Sequence, residues 1–178
     1  MEDLSLHILD IVENSLRAGA KDVEIIVKED QEADSLEIEI IDDGPGIDAP
    51  MLEKVLDPFF TTKSVRKVGL GLSLFREAAR AAGGELIIES EPGKGTRVNV
   101  SMQHSHVDRQ PLGDPVRTLR TLIVSHPEVR FRFCHRKNGD EDRFDSGQHK
   151  GDVSVRPRKW SKNGNRNQRI KPLTKTKD

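Results

Sequence analysis

The 178-residue sequence predicts an α+β fold: a two-layer α/β sandwich, with a mixed sheet and helices on one face. A small C-terminal helix–hairpin annex and a basic tail follow it. Three observations carry the prediction. The elements run helix, hairpin, helix, loop, helix, hairpin. The strand segments alternate apolar and polar residues, so each has one face to bury. The acidic, patterned part of the chain is also separate from the basic part. Residues 1–100 hold 21 acidic and 11 basic residues, a net of −10, whereas residues 135–178 hold 6 and 13, a net of +7.

The elements follow in order. Residues 3–18 have the spacing of an amphipathic helix, with Asp3 as its cap and Gly19 after its last turn. Val23, Ile25 and Val27 alternate with polar neighbours, as do Leu36, Ile38 and Ile40, which predicts a hairpin closed by Asp30 to Asp34. Asp48 and Pro50 open a short helix ending near Leu56. Residues 57–69 form a loop. A helix from about Leu72 to Ala82 stops at Gly83-Gly84. Leu86–Glu89 and Arg97–Met102 are two further strands, turned around at Pro92-Gly93-Lys94-Gly95. Asp114 and Pro115 open another helix, with Val116, Leu119, Leu122 and Ile123 as its apolar stripe. Val129, Phe131 and Phe133 alternate as a strand, and Asn138-Gly139 suits a hairpin turn. The domains expected are 1–104, an annex at 105–146 and a basic tail at 147–178.

Composition narrows the function classes. No apolar run approaches the roughly 18 residues of a membrane span, and no signal peptide is expected before the first helix. The single Cys134 excludes an internal disulfide and suits a reducing cytosol, so the expected location is cytoplasmic. The basic tail has few large apolar residues and reads as a solvated segment, so nucleic acid is not an expected partner.

Four segments carry chemistry. On the first helix, His7, Asp10, Glu13, Asn14 and Arg17 share the polar face, opposite Leu4, Ile8, Ile11, Val12, Ser15 and Leu16. Alone this is an ordinary solvated face, with His7 turned to the same side as Asn14. Asp10 and Asn14 stand four apart and point the same way. A carboxylate and an amide oxygen at that spacing can hold Mg²⁺ and orient a water, since Mg²⁺ prefers hard oxygen ligands. Arg17, one turn on, can reach a phosphate. The second segment is Ile41-Asp42-Asp43-Gly44-Pro45-Gly46-Ile47. Its glycines permit a tight turn, and a carboxylate there can accept a hydrogen bond from the exocyclic amine of adenine. The third, Val68-Gly69-Leu70-Gly71-Leu72-Ser73, precedes a helix and offers backbone amides to a phosphate. The fourth, Asp57-Pro58-Phe59-Phe60-Thr61-Thr62-Lys63, lies between the glycine motifs. It is placed to act as a lid, with Lys63 toward a phosphate.

In this order the segments resemble the GHKL (Bergerat-fold) ATPases, a superfamily that includes gyrase, Hsp90, histidine kinases and MutL. The resemblance covers roughly residues 4–102. Glu13-Asn14-Ser15-Leu16-Arg17-Ala18-Gly19-Ala20 looks like the MutL form of the asparagine helix. Pro58–Lys63, Gly69–Ser73, and Gly83-Gly84 through Gly93-Lys94-Gly95-Thr96 look like the catalytic domain of sensor histidine kinases. The resemblance implies ATP and Mg²⁺ as cofactors, Asn14 as the Mg²⁺ ligand and Asp42 as the adenine-reading carboxylate. It implies Gly44, Gly46 and Ile47 around the base, Gly69, Leu70, Gly71 and Leu72 at the phosphates, and Thr96 in support of Asp42. Two departures stand out. Asp10 takes the place of a glutamate general base and is one methylene shorter, and Lys67 replaces a glycine ahead of the Gly-Leu-Gly-Leu run.

Three functions fit. One is a histidine-kinase-like module that passes the ATP γ-phosphoryl to a histidine or serine on a partner protein. The second is a slow ATPase switch of the MutL or Hsp90 kind, with Asp10 as its base. The third is an anti-sigma-like module that binds a regulated protein partner without catalysis.

Overall fold

The computed structural model describes residues 3–55 and 71–148. The expected elements appear in the expected order. They are α1 (Leu4–Arg17), β1 (Asp22–Asp30), β2 (Ser35–Asp42), α2 (Ala49–Val55), α3 (Gly71–Ala81), β3 (Glu85–Ser90), β4 (Thr96–Gln103), α4 (Pro115–Ser125), β5 (Arg130–Lys137) and β6 (Asp140–Asp145). A single 3₁₀ turn at Ser146–Gln148 ends the described chain.

Helix α1 starts where Asp3 Oδ1 accepts from the Leu6 amide at 3.2 Å, because the first amides of a helix lack intrahelical partners. Helix α4 starts the same way, with Asp114 Oδ1 accepting from the Arg117 amide at 2.9 Å and Pro115 in the first turn. The β5–β6 turn is Asn138-Gly139, both with positive φ, as a two-residue hairpin requires.

One six-stranded sheet runs β3-β4-β2-β1-β5-β6. All neighbours are antiparallel except β1 and β5, which pair in parallel with Ile25 opposite Phe133. The helix and hairpin expected for residues 111–145 are therefore a continuation of the sheet, laid along the free side of β1. Helix α1 packs between α3, which covers β3 and β4, and α4, which covers β5. The core lies between the layers. Ile8 and Val12 of α1, Ile25 and Val27, Ile38 and Ile40, Phe75, Val100 and Phe131 are all shut off from solvent.

The polar face assigned to α1 needs one correction. His7 is buried at 4 % exposure rather than turned to the solvent side. Its ring stacks on Phe75, with centroids 5.0 Å apart and planes 7° from parallel. It sits where α3 crosses α1, and an aromatic neighbour on a second helix overrides the helix's own periodicity.

Candidate nucleotide site

Asp42 ends β2 opposite Thr96, the first residue of β4. Its two oxygens are held by neutral donors. Ser15 Oγ of α1 donates to Oδ2 at 2.6 Å, and the Gly44 amide donates to Oδ1 at 2.9 Å. A carboxylate has about four acceptor positions, so this arrangement orients Asp42 and leaves it capacity for a ligand's N–H group. Asp43 does something different. Its Oδ1 accepts from the amides of Lys21 and Asp22 at 2.7 and 2.9 Å, tying the end of β2 to the start of β1.

The glycine turn after Asp42 is pinned to the β3–β4 turn. The Gly93 amide donates to Pro45 O at 2.7 Å, and the Ile47 amide donates to Ser90 Oγ at 2.8 Å. Ser90 Oγ in turn donates to Gly95 O at 2.9 Å and stands 3.0 Å from Thr96 Oγ1. Gly46 has φ +72°, and a Cβ there would be driven into the Glu91 carbonyl, so the chain crossing admits no side chain. Thr96 is thus paired with the Asp42 backbone and meets Ser90 through its hydroxyl, while the Asp42 carboxylate itself is bonded by Ser15 and Gly44.

The other half of the site is the α1–α3 contact. Asp10 is exposed and Asn14 half-buried, one turn apart on the same side of α1. Gly71 opens α3 against Asp10: a Cβ at Gly71 would lie 2.9 Å from Asp10 Cβ and 3.3 Å from Asp10 Oδ2. The helix that begins at the glycine run therefore meets α1 at the residue predicted as the base. Arg17 donates to Glu13 Oε2 at 2.9 Å, and its other terminal nitrogen lies 3.5 Å from Asn14 Oδ1. Leu72 is buried in the core, so only its backbone can face a ligand. Lys63, Gly69 and Leu70, with the lid phenylalanines Phe59 and Phe60 and with Lys67, lie outside the described residues.

The model for the histidine kinase-, DNA gyrase B- and HSP90-like ATPases matches residues 2–106. The chain belongs to this ATPase family. Relatives of the ATPase domain include the sensor kinase CckA of Brucella abortus, 47 % identical over 70 residues, which are 39 % of this chain and 7 % of that protein. The sensor protein kinase FleS of Pseudomonas aeruginosa is 40 % identical over 89 residues, 50 % of this chain and 22 % of FleS. The signal transduction histidine-protein kinase AtoS of Escherichia coli is 38 % identical over 95 residues, 53 % of this chain and 16 % of AtoS. The chain spans less than a quarter of the length of these three relatives. Among solved structures, the Aquifex aeolicus MutL ATPase domain complexed with ADP superposes with a TM-score of 0.48 at 20 % identity. That match covers 79 % of this chain and 62 % of the other.

Asn14 carries a hard amide oxygen one helical turn from Asp10, a donor type that suits Mg²⁺ completed by phosphates and water, and in this structure that oxygen lies 3.5 Å from Arg17. Among the described residues no cluster of three His, Cys, Asp or Glu side chains could cage a metal on its own. Sequence reasoning missed Ser15 and Ser90. Ser15 is a small hydroxyl on the core face of α1, also 3.3 Å from Ile11 O, and nothing in its spacing separates it from an ordinary helix serine. Ser90 ends β3 with no motif of its own.

Proposed function

We propose that the chain is a histidine-kinase-like module that binds Mg²⁺-ATP and transfers its γ-phosphoryl to a histidine or serine of a partner protein in the cytoplasm. The observation that supports this most is the shared helix. Ser15 of α1 bonds the Asp42 carboxylate, the next residue back is Asn14, and one turn further back Asp10 lies against Gly71 at the start of α3. One rigid element thereby fixes the distance between an adenine pocket and a phosphate site. Such positioning is most of what phosphoryl transfer requires.

Asp42 would accept from the adenine amine, a donor that guanine replaces with a carbonyl. Bound Mg²⁺ would neutralise phosphate charge, with Asn14 as its protein ligand. Arg17 and the start of α3 would hold phosphate oxygens, joined by Lys63, Gly69 and Leu70. The bond from the γ-phosphorus to its bridging oxygen breaks, a bond to the acceptor nitrogen or hydroxyl oxygen forms, ADP leaves and the acceptor's proton passes to solvent. Asp10, against Gly71, favours a second reading, a slow ATPase switch in which Asp10 orients water. We also propose the division into units at residues 104 and 146 as the boundary between the nucleotide domain and what it carries.

Replacing Asp42 by Asn tests the pocket. Calorimetry is expected to show ATP binding weakened by about 1.5–3 kcal/mol, the value of a hydrogen bond to a charged group. Unchanged affinity would sink the assignment. Incubation with γ-labelled ATP and Mg²⁺ separates the two readings. Label in a co-purifying protein supports the kinase, and label in free phosphate that disappears in Asp10→Asn supports the switch. Tight binding with neither leaves a non-catalytic binding module.

A further inference from the structure

Two of the contacts between helices α1 and α3 bear on the site. Asp10 lies against Gly71, and three residues back along α1, His7 lies against Phe75, four residues forward along α3. The helices therefore run antiparallel here, and the His7–Phe75 stack is the neighbouring contact to the one that closes the phosphate side of the site. The imidazole adds a polar bond: His7 Nε2 lies 3.0 Å from Gln110 Oε1.

Gln110 belongs to the connection between β4 and α4, beyond the end of the family match at residue 106. That connection grips the start of α1. Pro111 O and Leu112 O accept from the amides of Leu4 and Ser5 at 2.9 and 3.0 Å, partners that a free helix end lacks. Gly113 is pressed so closely onto Asp3 and Ser5 that no Cβ fits. Arg109 holds the connection in shape, donating to His104 O at 2.5 Å and to Gln110 O at 3.0 Å.

We propose that His7 is a positioning residue for the nucleotide site. Through its stack on Phe75 and its bond to Gln110, it sets where Asp10 and Asn14 stand relative to Gly71. It also makes that position depend on the connection to α4. This rests on the reading that Asp10, Asn14 and Gly71 flank the phosphates of ATP. The bonds that hold the adenine end, from Ser15 and Gly44 to Asp42, involve neither Phe75 nor Gln110, the two partners of His7.

The test uses the full chain with three variants: His7→Phe, which keeps a stacked ring and loses the polar bond, Gln110→Leu, and the two together. Binding of Mg²⁺-ATP and of adenosine is measured by calorimetry, alongside thermal unfolding. Each single variant is expected to weaken Mg²⁺-ATP binding roughly tenfold, as a small misplacement of positioned groups does, with adenosine affinity unchanged. The double variant is expected to be no worse than either single one, because both remove the same link. Equal losses for adenosine and Mg²⁺-ATP, additive losses, or wild-type affinity in Gln110→Leu would each overturn the proposal. Gln110 is only partly buried, so its variant stays informative if His7→Phe fails to fold. A wild-type chain that binds no Mg²⁺-ATP would instead overturn the underlying reading of the site.

Discussion

The two ends of the central sheet both hold carboxylates, and they hold them differently. At the end where β2 finishes, Asp42 is bound by a serine hydroxyl and a backbone amide, both neutral. At the opposite end, where β1 finishes, Glu29 is only 9 % exposed and is surrounded by cationic and imidazole groups. His135 Nε2 is 2.8 Å from one of its oxygens, His104 Nε2 is 3.3 Å from the other, and Lys137 Nζ is 3.8 Å away. Burial pushes the Glu29 carboxyl up, but the two imidazoles and Lys137 outweigh it and hold the group below the ordinary value of 4.5. Neutral donors orient a charge without cancelling it. Cationic partners consume it. The contrast between an acid oriented by neutral donors and one neutralised by cationic and imidazole partners can be tested at both ends.

The largest effect is expected from Gly95→Ala at the site end. Gly95 has φ +81°, and a Cβ would be driven into the Asp42 carbonyl. Urea unfolding should show a loss of at least about 3 kcal/mol, the scale of strain and overpacking combined. A loss below about 1 kcal/mol would show that the β2–β4 crossing yields easily.

Glu29→Gln should come next, costing about 1–3 kcal/mol of stability at neutral pH by leaving its partners poorly satisfied, with ATP affinity untouched. Its pH dependence has a fixed sign. The folded pKa lies below 4.5, so the unfolded chain binds more protons in that range. The stabilisation is complete above about pH 5 and is lost as pH falls through the folded value. The gap between wild type and Glu29→Gln should therefore close on acidification. A gap that widens toward low pH would contradict the assigned role of the imidazole–carboxylate cluster.

Ser15→Ala is expected to weaken ATP binding by about 1 kcal/mol, a neutral hydrogen bond's share, since Asp42 keeps the Gly44 amide. A change in stability without a change in affinity would make Ser15 a core residue only. The smallest effect belongs to Lys94→Ala. Lys94 pairs with Glu91 in the β3–β4 turn, and both side chains are about two-thirds exposed. Unfolding should shift by less than about 0.5 kcal/mol.

Much of this was legible in the sequence because it depends on local rules. Period-2 patterns gave the strands from Val23 to Met102, Asp3 and Asp114 gave helix starts, and Asn138-Gly139 gave the last hairpin. The resemblance implies Asp42 as the adenine-reading carboxylate, and the neighbouring Asp43 is bonded to the amides of Lys21 and Asp22. What was not legible depends on which distant segments meet. His7 follows the polar periodicity of α1 yet is buried, because Phe75 arrives from α3. Ser15 and Ser90 become informative only once Asp42 and Gly95 are placed beside them. The parallel pairing of β5 with β1 has no local signal at all, since it joins a strand near the start of the nucleotide domain to one beyond its end.

That pairing has a consequence for the life of the chain during synthesis. β1 is made early and its neighbour β5 late, after every element of the family-matched segment. Until β5 arrives, β1 is the last strand of an incomplete sheet, with a row of unpaired amides and carbonyls beside Val23, Ile25 and Val27. The completed sheet ends instead on β6, Asp140–Asp145, where five of the six residues are charged. The late hairpin thus replaces an adhesive border with a repellent one. Translation that stops near residue 106 would release a chain with all the nucleotide motifs and an open invitation to pair with its own copies.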